Sequence, residues 1–364
     1  MDQGNDNVPN NGKFFETIRD PLNPYLLALP DEALASLSRV CRFFRDHTHE
    51  ERARRKSNEL IRRIICGEEV MAEAMLEEDL PSLLDNRGEA TDYSGRKIQN
   101  LTPFQAALCG GDVQMCERIK FYFDQLPSGS IKRIRQFDEI FPRATGGFSG
   151  HLERQQQMVF DFSAIVSAIT NASPDQLVIA LNKEGAQWAE TDLAREKSDT
   201  ELTLTEALNR FREQFTKKSH GEIVFNPQHL KSAFKCYAAQ FRIWNETQRD
   251  LFWRQVIGFV QRFFPAYDAQ VWAQGLHYVV ANGEVLQRSL SFRRQEEKWT
   301  GSFYPVNFEY SGLGFDYAVE GIGFAAVSGC GWPKWVSKFI ENRNIQIEKL
   351  AQVSLPRPIY CPIS

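Results

Sequence analysis

The sequence is poor in the arrangements that usually carry chemistry. Its six His include no HExxH and no spacing that would gather metal ligands. Its seven Cys, at positions 41, 66, 109, 116, 236, 330 and 361, form no CxxC pair. That scatter excludes a structural zinc site and a disulfide framework, and it fits the reduced thiols of a cytosolic protein. Gly312-Leu313-Gly314 and Gly321-Ile322-Gly323 lack the Lys-Ser/Thr of a phosphate-binding loop and read as turns. Long apolar runs are missing as well: none approaches the ~18 residues of a membrane-spanning helix. Met1–Gly12, rich in Asn, Asp and Gly, has no apolar centre of a secretory signal. Charge of one sign is also lacking. A net charge of −4 gives no ground for a nucleic-acid partner, and the basic runs Arg52–Lys56 and Lys132–Arg135 read as solvated helix faces.

What is present is material for cores. The chain has 364 residues, 42% of them apolar, with 27 Phe and 7 Trp, enough for two or three packed units. Residues 1–12 are expected to be disordered. The segment Asp31 to Arg45 places Leu34, Leu37, Val40, Cys41 and Phe44 on one helix face, with Asp31 and Glu32 where the helix dipole favours negative charge. A second helix is expected over Glu50–Cys66 and short helices over 67–84. The stretch 86–100 is polar and turn-rich. Thr102-Pro103 opens another helix, because Pro lacks the donor that the first helical position leaves unpaired. Gly110-Gly111 closes it, and Val113–Phe123 supplies the next.

Residues 142–157, with Gly146-Gly147 and a Gln run, are the best candidate boundary between an N-terminal and a C-terminal unit. Beyond them periodicity predicts helices over 160–181, 202–215 and 227–264, short strands between 286 and 315, and a helix over 333–352. The aromatic residues of 227–264, from Phe234 to Phe263, read as core more readily than as an interface. A tail with Pro at 356, 358 and 362 closes the chain. The fold class is therefore mainly α: a helical N-terminal region and a helical pair, then a helical C-terminal domain with a small β element. The expected divisions are 1–12, 13–66, 67–145, 146–352 and 353–364.

Leu29-Pro30-Asp31-Glu32 followed by Leu37-Ser38-Arg39-Val40-Cys41-Arg42-Phe43-Phe44 resembles the second half of an F-box. Leu22, Tyr25 and Leu26 stand where that family's first helix carries its apolar residues. Thr17 and Ile18 replace its opening Leu-Pro, and Pro21 and Pro24 interrupt the first helix. The resemblance implies that Leu22, Tyr25, Leu26, Leu29, Pro30, Leu34, Leu37, Val40 and Phe44 dock on the adaptor Skp1 of a cullin ubiquitin ligase. The physical principle is an apolar helix face laid into a partner's groove. The alternative is that Leu34, Leu37 and Phe44 pack within the chain.

Leu101-Thr102-Pro103-Phe104-Gln105-Ala106-Ala107 resembles the Thr-Pro-Leu-His-x-Ala core of an ankyrin repeat, with Gln105 for the His. A stable array needs about three repeats, so a single ankyrin-like helical pair is expected. Together with Thr91–Arg96, Phe252–Gly258 and Ser311–Asp316, the segment resembles a family of secreted Legionella-type effectors. That likeness spans loosely 85–350 and implies secretion into a host cell, action on host ubiquitin ligases and an unknown host target protein. Cys361-Pro362-Ile363-Ser364 fits a prenylation box of the farnesyl type. Lipidation at Cys361 would place the chain in host cytoplasm and on a host membrane; one chain anchors only marginally.

Enzyme chemistry finds little support. Cys236 or Cys330 with His229 or His277 has no local motif behind it, Glu222 and Asp268 show no paired partner, and His47 and His49 read as surface. The expected class is an F-box-type adaptor that is not an enzyme and uses no cofactor or metal. The alternative is an effector whose C-terminal domain is an enzyme or a scaffold.

Overall fold

A computed structural model describes residues 25–26, 28–40, 42–78, 83–182, 203–288, 291–293, 299–302 and 332–352. The fold is mainly helical, as the periodicity predicts, with two small two-stranded sheets among the described residues. The N-terminal helices are α1 (Asp31–Leu37), α2 (Arg42–Ile65) and α3 (Glu69–Glu78). The periodic stretch from Asp31 to Arg45 is thus not one helix. Ser36 and Ser38 turn their hydroxyls back onto the carbonyls of Glu32 (3.0 Å) and Ala35 (2.6 Å). Such back-bonding competes with helix continuation, and a turn over 38–40 separates α1 from α2.

The turn-rich stretch after Asn86 folds into an antiparallel hairpin, β1 (Gly88–Thr91) and β2 (Lys97–Leu101). Composition hid it because the turn is organised by one side chain. Asp92 Oδ1 accepts from the backbone of Ser94 and Arg96, and Gly95 takes a φ of +82°. β1 lies directly on α2: a Cβ on Gly88 would sit 2.8 Å from Asn58 Oδ1, which accepts from the Glu89 N–H.

The ankyrin-like pair is α4 (Pro103–Cys109) and α5 (Val113–Asp124). Thr102 caps α4 in a full capping box with Gln105, and Asp112 caps α5. A third helix, α6 (Gly129–Ile140), packs on both. Gln105, in the place of the repeat's His, donates to the Gln136 carbonyl (3.0 Å), and Thr102 Oγ1 bonds Gln136 Oε1 (2.7 Å). Within α6, Arg133 is fully buried and donates to the Gln352 carbonyl (2.8 Å), so the run Lys132–Arg135 is not a uniformly solvated face.

The segment expected to be a boundary is itself structured. A 3-10 turn (Arg143–Thr145) leads into α7 (Gly147–Gln157). Its Phe148 packs on Phe141 (centroids 4.9 Å apart) on the N-terminal side. Its Gln155 donates to Phe225 and accepts from Asn226 on the C-terminal side. One buried apolar cluster accordingly runs from Leu60 to Leu350 across the expected division.

The C-terminal helices are α8 (Ser163–Asn171), α9 (Pro174–Asn182), α10 (Leu204–His220), α11 (Gln228–Gln240), α12 (Glu246–Phe252), α13 (Gly258–Gln261), α14 (Ala266–Gln274) and α15 (Trp332–Leu350). The 227–264 stretch is broken where Asn245 caps α12, and a π-helical turn (Trp253–Ile257) joins α12 to α13. Its aromatic residues are core: Phe234, Trp244, Phe252, Trp253, Phe259 and Phe263 are buried. A short pair, β3 (Ser291–Arg293) and β4 (Trp299–Ser302), follows a second π-helical turn at His277–Ala281.

α15 reaches the α4–α5 turn through Arg343, whose Nη1 lies 2.6 and 2.7 Å from the two carboxylate oxygens of Asp268 on α14. Both side chains are buried, at 6% and 2% exposure. Removing one partner strands a buried charge. Arg343→Ala is therefore expected to lower unfolding free energy by about 3–5 kcal/mol in urea titrations, and pairing it with Asp268→Ala to recover part of that loss.

Candidate functional site

The F-box-like segment is built on the first half of α2. α1 is seven residues long, its two acids stand in the first turn, and its leading residue Pro30 makes no side-chain cap. It packs on α2. Arg55 Nη1 bonds Asp31 Oδ1 at 2.9 Å, and Arg55 Nη2 donates to the Leu26 carbonyl at 3.3 Å. Glu51 aims the guanidinium, accepting from Arg55 Nε at 2.7 Å and from Arg54 Nε at 2.9 Å. These hydrogen bonds from the two arginines hold the Glu51 carboxyl below its ordinary range despite the opposing effect of burial.

The structure distributes the nine expected adaptor-binding residues unevenly. Leu22 lies outside the described residues. Leu26 and Leu34 are buried within the chain, at 4% and 0% exposure, so in this arrangement they have no surface to give a partner. Leu29, Leu37 and Phe44 are half-buried, and Pro30 is exposed. Tyr25 (72%) and Val40 (68%) stand open. The face that periodicity drew through Leu34 is turned inward. The open apolar surface is instead offset to Tyr25 and to Val40 in the turn. Cys361 also lies outside the described residues.

The candidate catalytic groups are mostly committed to holding helices. His229 is fully buried; its Nδ1 accepts the Phe160 N–H at 3.0 Å, and its Nε2 lies 2.9 Å from Glu222 Oε1. A ring whose Nδ1 accepts carries its proton on Nε2 and donates it to Glu222, which fixes one tautomer. Glu222 therefore has a partner that the sequence did not show, seven positions along, and so does Asp268 in Arg343. Burial pushes the Cys236 thiol up, away from a reactive thiolate. Cys330 lies outside the described residues, and His277 opens a π-helical turn. His49 is exposed on α2.

His151 was missed by sequence reading. It sits on α7 against Phe141 (centroids 4.9 Å apart) and lines a narrow crevice with Arg343, Gln155, Phe225 and the Gly110–Gly111 turn. Among the described residues its Nε2 and Arg343 Nε have no hydrogen-bond partner. Among the described residues no three His, Cys, Asp or Glu stand together as metal ligands. No single described helix is long and apolar enough to cross a membrane; α8 and α9 reach that length only as a pair bent by 119°.

No protein-family model, curated protein or solved structure matches this chain. The likenesses to F-boxes, ankyrin repeats and effectors therefore rest on the residues quoted above.

Burial lowers His151 from near 6.5 to about 4, with Arg154 adding repulsion and Glu222 opposing it. Between those values the unfolded chain binds the proton that the folded chain refuses. The contribution is thus complete above pH 6.5 and is lost as pH falls toward 4. Stability of the wild type relative to His151→Gln, measured by urea unfolding from pH 7.5 to 4, is expected to fall across that window and to be flat above it.

Proposed function

We propose that this chain is an interaction protein, an F-box-type adaptor of a secreted effector, which docks on host Skp1 and brings a host target to a cullin ubiquitin ligase. One observation carries the reading. The α1–α2 corner bears the F-box-like sequence at the edge of the described core. Among the described residues its buried leucines, Leu26 and Leu34, lie outside the main apolar cluster, which begins at Leu60. Alongside them it leaves Tyr25 and Val40 exposed, and large exposed apolar groups beside half-buried ones suit a partner's groove. Prenylation of Cys361 would bring the adaptor to a host membrane, with protein contacts supplying the second attachment that one lipid chain needs.

Capture by purified Skp1 tests the reading. The full chain is expected to bind, and Tyr25→Ala with Val40→Asp to weaken binding at least about tenfold, since exposed anchors of this size are commonly worth over 1 kcal/mol each. Both side chains face solvent, so the double variant should unfold within about 1 kcal/mol of the wild type. Absence of binding by the wild type, or an unchanged affinity in the variant, contradicts the proposal. For the membrane, Cys361→Ser is expected to move a fluorescent fusion from membranes to cytosol in a eukaryotic cell. An unchanged distribution removes the lipid from the account.

A further inference from the structure

α7 ends at Gln157 and α8 opens at Ser163. Among the described residues, the connection between them is tied beyond those two helices by one hydrogen bond, from the Phe160 N–H to His229 Nδ1 at 3.0 Å. The other ring nitrogen, Nε2, lies 2.9 Å from Glu222 Oε1. The ring is fully buried, with the centroids of Phe215 and Phe225 5.5 and 6.5 Å away. The same 222–229 segment holds the end of α7. Asn226 Nδ2 donates to the Gln155 carbonyl at 2.7 Å, and Gln155 Nε2 donates to the Phe225 carbonyl at 3.4 Å. The connection itself lies at the surface, where Met158 and Asp161 are exposed.

In the neutral ring Nε2 carries the proton and Nδ1 the lone pair. A proton taken up from solvent enters at that lone pair. It turns Nδ1 into a donor facing the Phe160 N–H, which is also a donor, so that hydrogen bond is lost. The same proton makes the ring a cation beside Glu222, and the bond through Nε2 is kept and becomes charge-assisted. One proton is gained, one backbone hydrogen bond is given up and one ion pair forms. Other titratable groups approach from the neighbouring elements. His151 and Arg154 come from α7, with His151 within the field of Glu222, and Asp161 follows Phe160 in the connection. From α10 the ring meets Phe215.

We propose that His229 is a proton-operated latch on the α7–α8 connection: neutral, it holds Phe160, and protonated, it keeps Glu222 and releases Phe160. Phe160 and Asp161 line a crevice with Ile165, Ala207 and Phe211. Release of the connection uncovers that apolar lining between α8 and α10, so acid makes a surface available that neutral pH covers. The latch stands independently of the adaptor reading.

Amide hydrogen exchange of the full chain, read residue by residue by NMR and corrected for the intrinsic effect of pH, tests the latch. Between about pH 7.5 and about pH 5, which stays above the ordinary carboxylate range, protection of the Phe160 amide is expected to fall at least about tenfold. Amides of 113–124 should keep their protection. In His229→Asn the side-chain oxygen takes the place of Nδ1 as an acceptor that does not charge, so protection at Phe160 should be the same at both pH values. His151→Gln should leave the acid release of Phe160 in place, which separates the latch from the acid sensitivity of His151 itself. The ring-nitrogen shifts of His229 give a reading that needs no variant: Nδ1 bare at the higher pH and protonated at the lower, in step with loss of protection at Phe160. Unchanged protection in the wild type, an equal fall in His229→Asn, a release abolished by His151→Gln, or a His229 ring that stays neutral while Phe160 is released overturns the latch.

Discussion

Two arginines, Arg288 and the buried Arg343, gather the fold around the Gly110–Gly111 turn. Arg288 reaches Asp112 at 2.5 and 2.7 Å and Glu69 at 2.8 Å, tying the segment after α14 to the N-termini of α5 and α3. Arg118 closes the same network from α5, through Glu69 and Glu73. Arg343 completes it from α15, paired with Asp268 and lying 3.0 Å from where a Cβ on Gly111 would stand. Gly111 also holds a φ of +63°, so a side chain there meets both backbone strain and the guanidinium. Segments 176 and 75 positions apart in sequence are joined by these pairs. Their desolvation cost is offset only while the opposite charges stay paired, and the arrangement is correspondingly intolerant of losing one member.

Local features of this frame were legible in the sequence. The Thr102-Pro103 start, the Gly110-Gly111 stop and the C-terminal helix over Trp332–Leu350 all follow from caps, breakers and periodicity, which act within a few residues. The core role of the aromatic stretch from Phe234 to Phe263 was legible for the same reason. What was hidden depends on distance or on one side chain. Nothing near Asp268 announces Arg343, nothing near Glu222 announces His229 as its buried partner, and the hairpin after Asn86 needs Asp92 to turn it. Near Gly146, where composition suggests a boundary, Phe148 packs on Phe141 on one side and Gln155 bonds Phe225 on the other, contacts that composition does not announce.

The contrast between this frame and the α1–α2 corner is what gives the functional reading its shape. Inside the frame, several ionisable groups are paired: Asp268 with Arg343, Asp112 with Arg288, His229 between Phe160 and Glu222. At the α1–α2 corner Arg55 faces Asp31, which is mostly exposed. Periodicity located the apolar face around Leu34 but not its direction, because a stripe of three-and-four spacing serves a partner and a neighbouring helix equally well.

The measurement that bears most directly on this account is an exchange footprint of the full chain saturated with purified Skp1. Protection confined to residues 25–56, with the helices from Pro103 to Asp124 and from Gln228 to Gln274 unaffected, is the predicted result. Protection centred on those later helices, or no protection anywhere, would contradict it.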